Sequence, residues 1–377
     1  MDSRRQNALA CGLPKTPAEW RQKAAREVIQ APPPSDQYDR RQPVDAPSLH
    51  VGEKAIDVPL VNLSGWNPGS KIQFSHFLTT RTLVEMANDP RDIKAPENYT
   101  DFHLTQEICR EANRWLIGYG DWNVYLRDIK DTEDRIPEPG ESRELGEFGN
   151  VRYRQLLAQL LPNDEQDSAP AERESNRVPY FSRIIPAGDE GIVDIGLVNF
   201  VVALTKSCQH VGLDWRCARG LVHIQVGHAH LTAQNDGRLH PREHNDTYAL
   251  LKVKPFRLAD KPDSTLMEIA IQLLCWMIRE DFREDHPYFT ISGHREHTYL
   301  TVATFGQGYP KYISEGVVDN QEDCFLKLKS YGPFNMYSSK HVKFFGQLVL
   351  SLAIVCSEAW KAKQASSSVG AQPTIST

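Results

Sequence analysis

The feature that most constrains this chain is an alternation of element types after Pro179. Short β-like runs at 191–204, 220–226 and 248–255 precede an amphipathic helix at 265–281, in which Met267, Ile271, Leu274 and Ile278 recur at helical spacing. Further β-like runs follow at 298–305 and 325–331, and a final helix spans 338–361. In that helix Val342, Phe345, Leu348, Val349, Leu352 and Val355 form a broad apolar stripe, which predicts packing across a sheet. The order strands, helix, strands, helix implies an α/β fold: a mixed sheet flanked by helices. No internal repeat competes with that reading.

Ahead of this core the pattern is helical, at 77–87, 104–117 and 151–161, which adds an N-terminal helical region. The acidic, Pro-containing stretches 131–147 and 162–177 read as surface loops. Residues 1–50 are polar and rich in Arg, Pro and Asp. One short helix is expected at 16–30, where Thr16, Pro17 and Glu19 fit an N-cap, a first-turn proline and a capping-box acid. The expected organisation is a flexible tail at 1–50 lying outside the core, one domain at 51–361 and a disordered tail at 362–377. The domain divides into a helical part at 74–161, a loop at 162–178 and a sheet-containing core at 179–361.

Composition removes several classes. With 377 residues, 40% hydrophobic and 24% charged, the chain is long and apolar enough to bury a substantial core. No apolar run reaches the roughly 18 to 20 residues of a membrane span, and 348–356, interrupted by Ser351, reads as a buried helix. No membrane partner is expected. The first fifteen residues lack the apolar stretch of a signal peptide, so an intracellular location is expected. Arg4-Arg5 and Arg40-Arg41 are isolated pairs that leave nucleus and cytoplasm equally open. Seven cysteines with no close CxxC pair point to neither a disulfide framework nor a cysteine zinc site. A net charge of −6 argues against coating nucleic acid by global charge, while a local basic groove would not show in that sum.

Three features then line up: Asp194 within the apolar run at 191–198, Lys252-Val253-Lys254-Pro255 at the end of another, and Gln272 followed by Trp276 in the helix. Gly293-His294 comes before the next strand, and Asp121-Trp122-Asn123 follows an upstream helix. This order resembles the PD-(D/E)XK nuclease-like domain, in particular a divergent group common in fungi, over roughly residues 104–360. The resemblance implies a restriction-endonuclease-like fold and a Mg²⁺-dependent phosphodiester hydrolase. In such an enzyme carboxylates hold the metal and a lysine polarises the attacking water. Asp194 matches the metal-binding aspartate and Lys254 the lysine. Lys252 stands where an acid is expected, and a cation there repels Mg²⁺. Some restriction enzymes of this fold carry the second acid on the following helix, where this chain has Glu268, one turn before Gln272. The resemblance therefore implies Asp194, Lys254, Glu268 and Gln272 as catalytic residues and Asp194, Glu268 and Asp121 as metal ligands, in a degenerate or migrated acidic motif. The alternative is a catalytically inactive nuclease-fold module that binds nucleic acid, DNA included, or protein; Lys252 leaves enzyme status open.

Each residue also has a plain structural reading: Asp194 and the two lysines as polar strand positions, Glu268 as an acid near a helix start, Gln272 and Trp276 as a surface amide and a core aromatic. A competing metal site lies in the histidines, His223, His228 and His230 with His240 and His244 nearby and His294 and His297 later. His228 and His230, two apart, would face one side of a strand, but no zinc-ligand spacing accompanies them. No P-loop, dinucleotide-binding glycine motif or nucleophile elbow is present.

Overall fold

The computed structural model describes residues 11–30, 50–63, 65–87, 101–132, 145–159, 190–206, 208–217, 219–244 and 246–369. Residues 31–49 of the expected tail and the expected loop at 162–178 lie outside them.

Chain order begins with α1 (Pro17–Ala24), β1 (Gly65–Pro68), α2 (Phe74–Thr79) and β2 (Thr82–Ala87). Four helices follow, α3 (Gln106–Gly118), α4 (Gly120–Asp131), α5 (Gly149–Gln159) and α6 (Glu190–Thr205), and then five strands, β3 (Asp214–Arg216), β4 (Gly220–Val226), β5 (Ala229–Asn235), β6 (Gly237–His240) and β7 (Ala249–Lys254). The chain then runs through α7 (Pro262–Arg279), β8 (Tyr288–His294), β9 (His297–Phe305), α8 (Tyr309–Glu315), β10 (Leu326–Asn335) and α9 (Ser339–Val369).

The expected mixed sheet is present and has seven strands in the order β2-β10-β9-β8-β7-β6-β3. β3, β6 and β7 are antiparallel neighbours, β7 and β8 are parallel, and β8, β9 and β10 are antiparallel again. Parallel neighbours require a crossover, and α7 supplies it between β7 and β8. A second, three-stranded sheet, β1-β5-β4, packs beside α7.

Alternation along the strands divides the interior in two. In β7, Ala249, Leu251 and Val253 face a core built with Trp122 of α4, Phe200 of α6 and Phe345 of α9, whereas Leu250 faces a core built with Leu266, Ile269 and Leu273 of α7. Helices therefore cover both faces. Ser339–Ser366 is the one described helix long and apolar enough to cross a membrane, and 72% of its apolar window is buried against the rest of the protein.

Four expectations are corrected. The run 191–204 is helix α6, not a strand. It is apolar on nearly every side because it is wedged between α5, the sheet and α9, so it shows no helical stripe, and its length was the signal for a helix. The segment 77–87 is the end of α2 followed by β2. Thr79 and Thr80 turn their hydroxyls back onto the carbonyls of His76 and Phe77, both at 2.7 Å, and Arg81 then takes a positive φ of 50° that reverses the chain. The C-terminal helix continues through 362–369, where the sequence predicts a disordered tail.

The fourth correction concerns the N-terminus: residues 11–30 belong to the core. Trp20 is 2% exposed and donates its indole N–H to the Leu78 carbonyl at 2.8 Å. The Arg81 guanidinium lies 4.4 Å from the Trp20 ring and 4.3 Å from that of Phe325, while its Nε donates to the Cys324 carbonyl at 2.7 Å. The unusual φ of Arg81 is thus offset by a fully engaged side chain. Trp20→Ala is expected to destabilise the fold by about 3 to 5 kcal/mol in urea unfolding. A loss below about 1 kcal/mol would show that α1 merely rests on the surface.

Candidate functional site

β7 ends in Lys252-Val253-Lys254, and alternation puts both lysines on the face that α7 covers. Next to it, β6 begins with Gly237 opposite Leu251, so Asp236, one residue earlier, stands beside Lys252. The aspartate is fixed by its backbone and its side chain together: its N–H donates to the Leu251 carbonyl at 3.0 Å, and its Oδ2 accepts from the Val253 N–H at 2.8 Å. Glu268 reaches down from α7. Its Oε1 lies 3.0 Å from Lys252 Nζ and its Oε2 2.8 Å from Lys254 Nζ, while Lys252 Nζ is also 3.3 Å from Asp236 Oδ2.

The cluster is buried, with Asp236 2%, Lys252 5% and Glu268 6% exposed. Two carboxylates and two ammonium groups sum to zero, the condition under which such a group is tolerated away from water. One turn beyond Glu268, Gln272 donates its Nε2 to the Gln234 carbonyl at 2.7 Å, and its buried Oε1 has no hydrogen-bond partner among the described residues.

On the parallel neighbour, Ser292 is in register with Lys252 and His294 with Lys254. His294 is fully buried with its Nε2 3.2 Å from Ser292 Oγ. Its imidazole is pushed down to about 3, first by burial and then by the positive charge of Lys254. His294 is therefore a neutral wall of the site at neutral pH.

Of the residues inferred from sequence, the structure thus brings Glu268 to Lys254, while Gln272, one turn further along α7, bonds the Gln234 carbonyl instead; Asp236 and Lys252 are added. Asp194 lies on α6 rather than a strand, 7% exposed, with its Oδ2 3.9 Å from Cys217 Sγ. The Cys217 thiol is raised first by burial and then by the charges of Asp194 and Asp236. Asp121, on α4, accepts the Glu147 N–H at 3.2 Å and fills the space over Gly146, whose φ of 53° suits glycine. Among the described residues no ion pair or hydrogen bond joins Asp121 to Asp236, Glu268 or Lys254.

Sequence reasoning passed over Asp236 because Asn235-Asp236-Gly237 reads as a hairpin turn. It is instead the step by which the chain leaves the small sheet for the large one. His223, His228 and His230 lie on the outer β4–β5 hairpin, where His223 Nδ1 is 2.8 Å from Thr232 Oγ1. Among the described residues no group of three or more His, Cys, Asp or Glu side chains is arranged to hold a metal ion.

Mg²⁺ binds oxygen ligands at about 2.0 to 2.1 Å and needs several of them. Asp236 and Glu268 supply carboxylates, but the Lys252 ammonium occupies the place between them. As arranged, the residues fit an internal cation and not a divalent metal. Comparison with protein-family models, curated proteins and solved structures gives no match to this chain.

Two outcomes follow from this geometry. Glu268→Gln strips both lysines of their shared carboxylate and is expected to cost about 3 to 5 kcal/mol of stability, read from urea unfolding; a cost under about 1 kcal/mol would mean that water reaches the cluster. Separately, His294 has a folded-state pKa below its ordinary value near 6.5, so between those values the unfolded chain binds more protons. The stability it contributes is complete above about pH 6.5 and is lost as pH falls toward about 3. His286, pushed down to about 4 chiefly by burial, acts in the same direction. The Tm should fall from pH 7 to pH 5, with a smaller fall in His294→Asn; an equal fall in that variant would remove His294 from the account.

Proposed function

We propose that this chain is a nuclease-like module of restriction-endonuclease-like fold that binds nucleic acid and does not cleave it, an internal lysine having taken the metal's place. The single observation that carries this reading is Lys252 Nζ, 3.0 Å from Glu268 and 3.3 Å from Asp236. The fold part of the reading is supported by the succession of α6, the antiparallel strands β3, β6 and β7, the crossover helix α7 and the parallel strand β8. It is supported further by the positions of the residues that carry the resemblance, with Lys254 at the end of the third of those strands and Gln272 and Trp276 on the helix that follows. In this reading Asp236 takes the aspartate's place in the order and Glu268 is the acid displaced to the helix.

A protein that stabilises phosphodiester hydrolysis must place positive charge against the phosphate and activate a water. Here the carboxylates are neutralised by the protein's own ammonium groups, so the charge that would recruit Mg²⁺ is already spent. One observation favours a second reading, a Mg²⁺-dependent hydrolase with a migrated acid: Glu268 does meet Lys254, at 2.8 Å. That enzyme would need Lys252 to swing out when metal enters.

The two readings separate on calorimetric titration with Mn²⁺, run alongside cleavage of labelled single- and double-stranded DNA and RNA. Wild type is expected to take up no Mn²⁺ at millimolar concentration and to leave all four substrates intact, while Lys252→Glu, which adds a third carboxylate, is expected to gain Mn²⁺ binding. Metal-dependent cleavage by wild type that disappears in Asp236→Asn and Glu268→Gln would establish the hydrolase instead.

A further inference from the structure

Beside the lysine cluster, α7 and the ends of β4, β5 and β6 enclose a cleft of about 420 Å³ including its open mouth. Periodicity on α7 connects the two sites: Glu268, Gln272, Trp276 and Arg279 follow at four-, four- and three-residue steps, so one face of the helix runs from the lysines into the cleft. Arg238, two residues after Asp236 on β6, lines the same cleft.

Among the described residues that line the cleft, Arg238 and Arg279 carry charge and no carboxylate is present. Arg238 lies directly opposite Arg216 across the β3–β6 pair, an arrangement of like charges that costs stability in a sheet. The Arg238 guanidinium is lowered first by burial and then by the charges of Arg279 and Arg216. Among the described residues neither Arg238 nor Arg279 forms an ion pair, whereas Arg242, on the segment after β6, is held by Asp214 at 2.7 Å. Two buried donors also stand without an acceptor among the described residues: Arg238 Nε and the indole Nε1 of Trp276, a residue 2% exposed. Buried donors without acceptors are uncommon because each forfeits its hydration.

We infer that this cleft is a phosphate-binding site, in which Arg238 and Arg279 take the phosphate oxygens and the Trp276 indole N–H supplies a further donor. Guanidinium groups match phosphate oxygens in geometry as well as charge, and an indole N–H adds a directional contact without adding charge. The site deepens the nucleic-acid reading above and rests on it for its natural source of phosphate, a strand backbone. Its chemistry does not require that source, because free phosphate presents the same oxygens.

The test has two arms on the full chain. In the first, inorganic phosphate is titrated while the indole N–H resonances are followed by NMR, the Trp276 signal being assigned by its loss in Trp276→Phe. In the second, a labelled single-stranded oligonucleotide is titrated with wild type, Arg238→Gln, Arg279→Gln, the double variant and Arg114→Gln, an exposed arginine of α3 paired with Glu111. Phosphate is expected to shift the Trp276 resonance. The oligonucleotide is expected to bind several-fold more weakly to each single variant, at least tenfold more weakly to the double variant and within twofold of wild type to Arg114→Gln. Arg279 is solvent-exposed, so Arg279→Gln remains a fair test even where Arg238→Gln lowers the Tm.

A shift of Trp276 with phosphate, but no binding of any oligonucleotide, supports the site and overturns the nucleic-acid reading. Oligonucleotide binding that is unchanged in the double variant, with Trp276 unmoved by phosphate, overturns the site and leaves that reading intact. Failure of both arms overturns both.

Discussion

The bond on which the rest depends is the one Glu268 makes with two lysines at once. It joins α7 to the end of β7 at a point where the sheet changes from antiparallel to parallel, and through Lys252 it reaches Asp236 at the start of β6. Two ammonium groups and two carboxylates removed from water are each costly alone, and the cost is offset only because every charge has an opposite one within 3.3 Å. Burial of this kind is weak evidence for stability and better evidence for specification: a one-residue slip of β7 would turn both lysines into the apolar core formed with α6 and α9. Register, helix placement and site are therefore set together.

The same closure explains the functional reading. In a metal site the acids are arranged so that their charge remains uncompensated until the ion arrives. Here the chain compensates itself, and the uncompensated charge lies about three helical turns further along α7, at Arg279, and on β6 at Arg238. A molecule with this distribution presents a neutral, packed centre and a cationic cleft next to it. That pattern fits retention of a phosphate-bearing ligand without the chemistry that would break it.

How much of this was legible depended on local signals. The strand ending at Lys254-Pro255 and the amphipathic helix after it both carry strong periodicity; Glu268 on that helix lies against Lys254, whereas Gln272 bonds the Gln234 carbonyl. Asp194 falls on a helix that is mostly buried, and such a helix and a buried strand present the same apolar run. Asp236 was hidden for the opposite reason, since its Asp-Gly pair reads as a turn when the chain is in fact crossing from one sheet to another. The docking of α1 was hidden as well. Trp20 lies in a polar segment, and its burial depends on Arg81 and Phe325, which are distant in sequence. The charge neutralisation of the site was visible only as the oddity of Lys252, because whether a lysine repels a metal or replaces it is a matter of distance.

The most direct test of the central claim is a crystal structure of wild type soaked in Mn²⁺, with data collected to reveal the ion's anomalous signal. The account predicts no anomalous peak between Asp236 and Glu268 and Lys252 Nζ within hydrogen-bonding distance of both. A peak bound by both carboxylates, with Lys252 turned away, would contradict it and favour the metal-binding reading of the site.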